Sequence, residues 1–98
     1  MNKYDLPDEI RHYLDAILHS FVYPNRINNI RGEIESVVKS EHGDCSEKNI
    51  LRLYFAVTSF LSMHGFGHDE DYVYIIDKKG MDLKACGSLA VFEATYLQ

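Results

Sequence analysis

The chain has 98 residues, with 10 Lys and Arg against 15 Asp and Glu, a formal charge of −5, and 46% apolar residues. That apolar share excludes a disordered tail, and 2 Pro with 6 Gly exclude a collagen-like or linker-like chain. No apolar run reaches the roughly 18 to 20 residues of a membrane span, so one compact soluble domain over residues 1–98 is expected.

The start, Met1-Asn2-Lys3-Tyr4-Asp5, lacks an apolar stretch behind a basic head, and no secretory signal is read there. A first helix is expected over 7–21. Ile10, Tyr13, Leu14, Ile17, Leu18 and Phe21 follow the i, i+3, i+4, i+7 rhythm of one buried stripe. Asp5 offers a cap, Pro7 fits the first turn, and Asp8 and Glu9 suit the positive end of the helix dipole. Pro24 disfavours helical geometry at Tyr23 and ends the element. A second helix is expected over 26–39, with Ile27, Ile30, Ile34, Val37 and Val38 inward. Gly32 inside it costs about 1 kcal/mol relative to Ala, which leaves its first part open to irregular structure.

Glu41-His42-Gly43-Asp44-Cys45 reads as a turn, with either Asp44 or Ser46 capping a third helix over 46–64. That helix is the most apolar segment, with charges only at Glu47, Lys48 and Arg52. It should therefore be central to the core or meet a second subunit. Gly65 suits a left-handed stop. Tyr72-Val73-Tyr74-Ile75-Ile76 reads as a strand, with a short partner around His64–Phe66 and an acidic tip at His68-Asp69-Glu70-Asp71. The hairpin must pack either its Val73 and Ile75 face or its Tyr72, Tyr74 and Ile76 face on the helices, since two strands alone are marginal. Asp77 can cap a helix over 78–85. Beyond Gly87 a short helix over 89–97 has Leu89, Phe92, Tyr96 and Leu97 inward.

The fold class expected is therefore α+β, mostly α: a three-helix core with a two-stranded β-hairpin wing and a C-terminal helix. Leu61-Ser62-Met63-His64-Gly65-Phe66, followed by Tyr74-Ile75-Ile76-Asp77-Lys78-Lys79-Gly80 and Leu83, resembles winged-helix domains of small bacterial or phage type. In those domains a helix closes on leucine and glycine. A short hairpin follows, and its second strand ends in a tyrosine-x-leucine-threonine-x-x-glycine type of motif. Asp77 stands where that motif has threonine, and either residue can cap a helix. The likeness covers the second half of the chain by motif and the first half by helix count.

The resemblance implies two functional classes. As a DNA-binding regulator, the chain would use Lys48, Asn49 and Arg52 on the third helix, with Lys78 and Lys79 as further nucleic-acid contacts. Phosphate affinity comes from Lys and Arg. The third helix offers only Lys48 and Arg52, and three carboxylates occupy the tip where a basic wing would touch the backbone. As an interaction module, the chain would meet another protein or a second copy of itself, most simply as a homodimer, through Tyr54, Phe55 and Tyr96. Aromatic side chains are favoured at interfaces. The net charge favours the second class. The plainer alternatives are a solvated first turn for Lys48 and Arg52, and core packing for the aromatics.

Cys45 and Cys86, without a signal peptide, read as reduced thiols in a cytoplasmic chain. His64 and His68 are four apart, but Gly65 and Gly67 break the helix that would aim both imidazoles at a metal. Gly65-Phe66-Gly67 is not a dinucleotide loop, because no strand precedes it. No cofactor is called for, and no convergent polar set points to an enzyme.

Overall fold

The computed structural model describes residues 3–23 and 29–97. Among these the chain runs α1 (Asp8–Ile17), a 3-10 turn (Leu18–Ser20), α2 (Ile30–Ser40), α3 (Glu47–Met63), β1 (Gly67–Glu70), β2 (Val73–Ile76), α4 (Lys78–Cys86) and α5 (Leu89–Tyr96). The fold is α+β and mostly α: helices around one core, with a two-stranded antiparallel hairpin, a shape compatible with a winged helix. The expected stop at Pro24 and the expected start of the second helix at Arg26 and Ile27 lie outside the described residues. No helix among the described residues is long and apolar enough to cross a membrane.

The helices form where stripe and cap agree. In α1, Ile10, Leu14 and Ile17 are buried, as the spacing requires. The N-cap is Pro7 rather than Asp5. The Pro7 carbonyl accepts from Ile10 and Arg11 N–H at 3.0 Å, so the helix starts without a side-chain cap. In α2, the Asn29 carbonyl oxygen Oδ1 accepts from Gly32 N–H at 3.2 Å. A Cβ on Gly32 would stand 2.7 Å from Asn29 Cγ, so the glycine that weakens the helix is what lets its cap fold over. In α3, Ser46 rather than Asp44 is the cap: Ser46 Oγ accepts from Asn49 N–H, while the Asp44 carboxylate holds Ser46 N–H at 2.9 Å.

The hairpin sits one step later in the chain than the sequence suggests. Gly65, at φ 77°, turns the chain out of α3, and Phe66 is fully buried. Phe66 N–H donates to the Leu61 carbonyl at 2.8 Å, and its own carbonyl accepts from Asp77 N–H at 2.9 Å. Residues 64–66 thus close the helix, and the partner strand is Gly67–Glu70, paired with β2 from Gly67 opposite Ile76 to Glu70 opposite Val73. Asp69 and Glu70 lie in the strand and Asp71 in the turn, so all three acids still mark the hairpin's outer end. Of the two candidate faces, Tyr74 and Ile76 face the core, whereas Tyr72 stands fully exposed at the turn. The Tyr74 hydroxyl donates to the Thr58 carbonyl at 3.2 Å and lies 2.8 Å from Ser62 Oγ, pinning the hairpin to α3.

α4 crosses the hairpin's base at close range. A Cβ on Gly80 would stand 2.5 Å from Ile76 Cγ2 and press on the Phe66 carbonyl, so only glycine fits. Asp77 occupies the N-cap of α4 without a side-chain cap bond, because its carboxylate holds His68 instead. In α5, Leu89 and Phe92 point inward as expected, but Tyr96 is exposed and Leu97 only half-buried. The third inward position is Glu93, 1% exposed. Its carboxylate takes two bonds from the Arg11 guanidinium and one from Tyr4 N–H, tying α1, α5 and the N-terminal segment together.

Candidate functional site

Past its first residue, Glu47, the 17-residue α3 exposes one stripe to solvent: Lys48, Arg52, Phe55, Ser59, Ser62 and Met63. The 3.6-residue repeat places these on one side. Phe55 is 58% and Met63 76% exposed, large values for apolar side chains. Phe55 stands edge-on to Tyr54 with ring centroids 5.4 Å apart.

The start of the stripe is where the nucleic-acid candidates gather. Lys48, Asn49 and Arg52 line a cleft of about 280 Å³ with Asp44 and Ser46. Two of the three are already engaged. The Arg52 guanidinium grips the Glu9 carboxylate of α1 through two bonds, at 2.8 and 3.2 Å, and also takes Asn49 Oδ1. This contact lowers the Glu9 carboxyl below its usual range and raises Arg52 further. Asn49 Nδ2 donates to the Asp44 carbonyl at 2.7 Å. Lys48 is left as the cation without a described partner in this cleft.

Lys78 and Lys79 are not part of that cleft. Lys79 Nζ donates to the His64 carbonyl at 2.8 Å, at the far end of α3, and lies 4.8 Å above the Phe66 ring. At 1.5 Å per residue, the helix separates residues 48 and 64 by roughly 24 Å. Lys84 likewise donates to the Phe21 carbonyl at 2.8 Å. Lys79 and Lys84 finish carbonyls elsewhere and do not line the cleft with Lys48.

On its hairpin side α3 borders a groove of about 370 Å³. Asn29, Ile30 and Arg31 of the α2 start, Leu51 and Tyr54 of α3, and Tyr72, Val73 and Tyr74 of the hairpin line it. The floor is apolar and aromatic. Arg31 stands on one wall, 3.7 Å from Glu47. Asp69 lies near enough to raise the Tyr54 phenol, after burial as the main cause. Burial also pushes Tyr74 up to about 12, so both phenols stay neutral donors at any ordinary pH.

The turn that carries Tyr72 is strained. Asp71 and Tyr72 have φ of 48° and 68°, values a two-residue hairpin turn demands and glycine supplies most easily. Tyr72 belongs to one of the two strand faces the sequence offers for packing, Leu51 to the apolar residues of the third helix and Arg31 to the polar face of the second, and nothing in the sequence signals that they meet. The signal for Tyr72 was the spacing: strands 67–70 and 73–76 leave two residues between them, and neither is Gly or Asn.

The remaining candidates are accounted for by their contacts. His64 sits in a chain of rings with Tyr4 at 4.5 Å and Phe60 at 4.8 Å, and burial lowers its pKa, followed by the charge of Lys79. Tyr96 rests on Phe92 with centroids 4.6 Å apart. Cys45 is exposed, Cys86 is half-buried, and both are free thiols. Among the described residues, no group of three or more His, Cys, Asp or Glu is placed to hold a metal ion. No protein-family model, curated protein or solved structure matches this chain.

Proposed function

We propose that the chain is a non-enzymatic protein-contact module of winged-helix type, and that the exposed stripe of α3, with the groove beside it, is its contact face. One observation carries this reading. The helix that enters the DNA groove in winged-helix relatives here exposes Phe55 and Met63, while its arginine is taken by Glu9. An exposed aromatic beside an apolar groove suits a polypeptide partner. Phosphate binding needs several free cations on one face, and the acids at the hairpin's outer end oppose it.

Two measurements test the reading together. Titration with random duplex DNA at low salt should leave the chain's mobility unchanged. Replacing Phe55 and Met63 by Ser should leave melting unchanged and abolish self-association or capture of a partner. A salt-dependent DNA shift that disappears in Lys48→Glu would establish the nucleic-acid reading instead.

A further inference from the structure

We infer that the groove between the α2 start, α3 and the hairpin accepts a cationic polypeptide segment anchored by an apolar side chain, with Tyr72 as its outer wall. The inference rests on the protein-contact reading above and adds the chemical class of the partner. Three observations converge on it. The first is the groove itself, about 370 Å³, room for one or two side chains on a floor of Ile30, Leu51 and Val73. The second is charge. Asp69 and Asp71 are exposed at the groove's hairpin end, and Glu70 stands beside them. Arg31, the cation on the opposite wall, has Glu47 within 3.7 Å. Arg31 is the charged residue in the lining itself, so the acids at the hairpin end, in a chain of net charge −5, are what an entering cation would be drawn to. A lysine or arginine entering would meet carboxylates and the faces of Tyr54 and Tyr72, which attract cations. A second copy would carry the same net charge of −5, which opposes its approach.

The third observation is Tyr72. Its side chain is fully exposed, and its backbone has φ of 68°, where a bulky residue is strained. Glycine would fold better at this position. The ring makes no contribution to the core that would offset the strain. It does stand at the mouth of the groove, where a partner would cover it.

That contrast makes the test clean. The probe is a short peptide of alternating lysine and leucine, titrated into the full isotope-labelled chain, with two controls: one with glutamate replacing lysine, one with serine replacing leucine. Leu51, Tyr54, Tyr72 and Val73 resonances should move with the lysine–leucine peptide and with neither control. Added salt should weaken the binding. Tyr72→Gly should raise the melting temperature and yet weaken binding about tenfold, the scale of losing one interfacial aromatic anchor. Asp69→Asn with Asp71→Asn should weaken binding without changing the fold. Equal binding of the glutamate–leucine peptide at these residues would overturn the cationic assignment and leave the contact face standing. A dimer interface mapped to the same residues would overturn it in favour of a second copy. Movement of these residues with duplex DNA would overturn both readings.

Discussion

The two ends of the molecule treat acidic side chains in opposite ways. Where the termini meet, Glu93 is 1% exposed and its charge is matched: Arg11 donates to both carboxylate oxygens and also to the Tyr4 carbonyl at 2.9 Å. At the hairpin end, Asp69, Glu70 and Asp71 are exposed. Glu70 shares His68 with Asp77, and Asp69 lies near enough to Tyr54 of the groove to act on its phenol. The same residue type is a structural tie in one place and a source of external field in the other. What separates them is whether a partner within the fold consumes the charge. Arg52 makes the point for the opposite sign. It is a free cation by composition and, in the fold, the other half of a pair with Glu9.

The contrast breaks most visibly at Arg11. Arg11→Met leaves the Glu93 carboxylate buried with only Tyr4 N–H, and removing one partner of a buried pair typically costs about 3 to 5 kcal/mol. Urea unfolding should show that loss, and the double variant Arg11→Met with Glu93→Leu should recover much of it. A loss below about 1 kcal/mol, the scale of surface pairs, would mean that the two ends hold their acids alike. The hairpin end has its own tie, smaller and steric. Gly80→Ala drives a methyl against the Phe66 carbonyl and Ile76, an overpacking expected to cost about 1 to 3 kcal/mol. Loss of amide protection confined to β1, β2 and α4 would show that the hairpin end unfolds as a unit of its own.

What the sequence discloses follows the range of the interactions. α1, α3, β2 and α4 are legible because their signals are local: the Ile10, Leu14 and Ile17 stripe, the Ile50, Leu53 and Val57 stripe, the Ser46 cap and the Gly87 stop at φ 82°. β1 is not, because His68-Asp69-Glu70 carries no strand-forming pattern, and pairing with β2 imposes the geometry. The inward turn of Glu93 is invisible in a helix of otherwise apolar promise, since Arg11 lies 82 residues away. Of the groove, Tyr54 and its neighbour Phe55 are readable as aromatics in excess of one small core. Leu51, Arg31 and Tyr72 are not, because three separate elements bring them together. The pairing of Arg52 is hidden for the same reason, its partner Glu9 being 43 positions distant.

The finest difference between the two ends lies in pH. His68 Nδ1 stands 2.9 Å from Asp77, at the start of α4, and Nε2 3.3 Å from Glu70 on its own strand. The hydrogen bonds to Asp77 and then Glu70 raise its pKa. A raised histidine contributes fully below its ordinary pKa of about 6.5 and loses that contribution as pH climbs through the raised value. Glu93 behaves inversely. The Arg11 bonds lower its pKa, so its contribution holds above the ordinary carboxylate range and fails only as pH falls through the lowered value. His64, lowered by burial and then by Lys79, opposes His68 near neutrality, because its neutral form is the one the ring cluster favours. The melting difference between the native chain and His68→Gln removes the His64 background, since both proteins retain it. That difference should be largest near pH 6 and vanish on the alkaline side, a small effect because His68 is exposed. A deficit that stays constant across this range would assign His68 a packing role alone. The hairpin would then be held by Tyr74 and Gly80, with no contribution from charge.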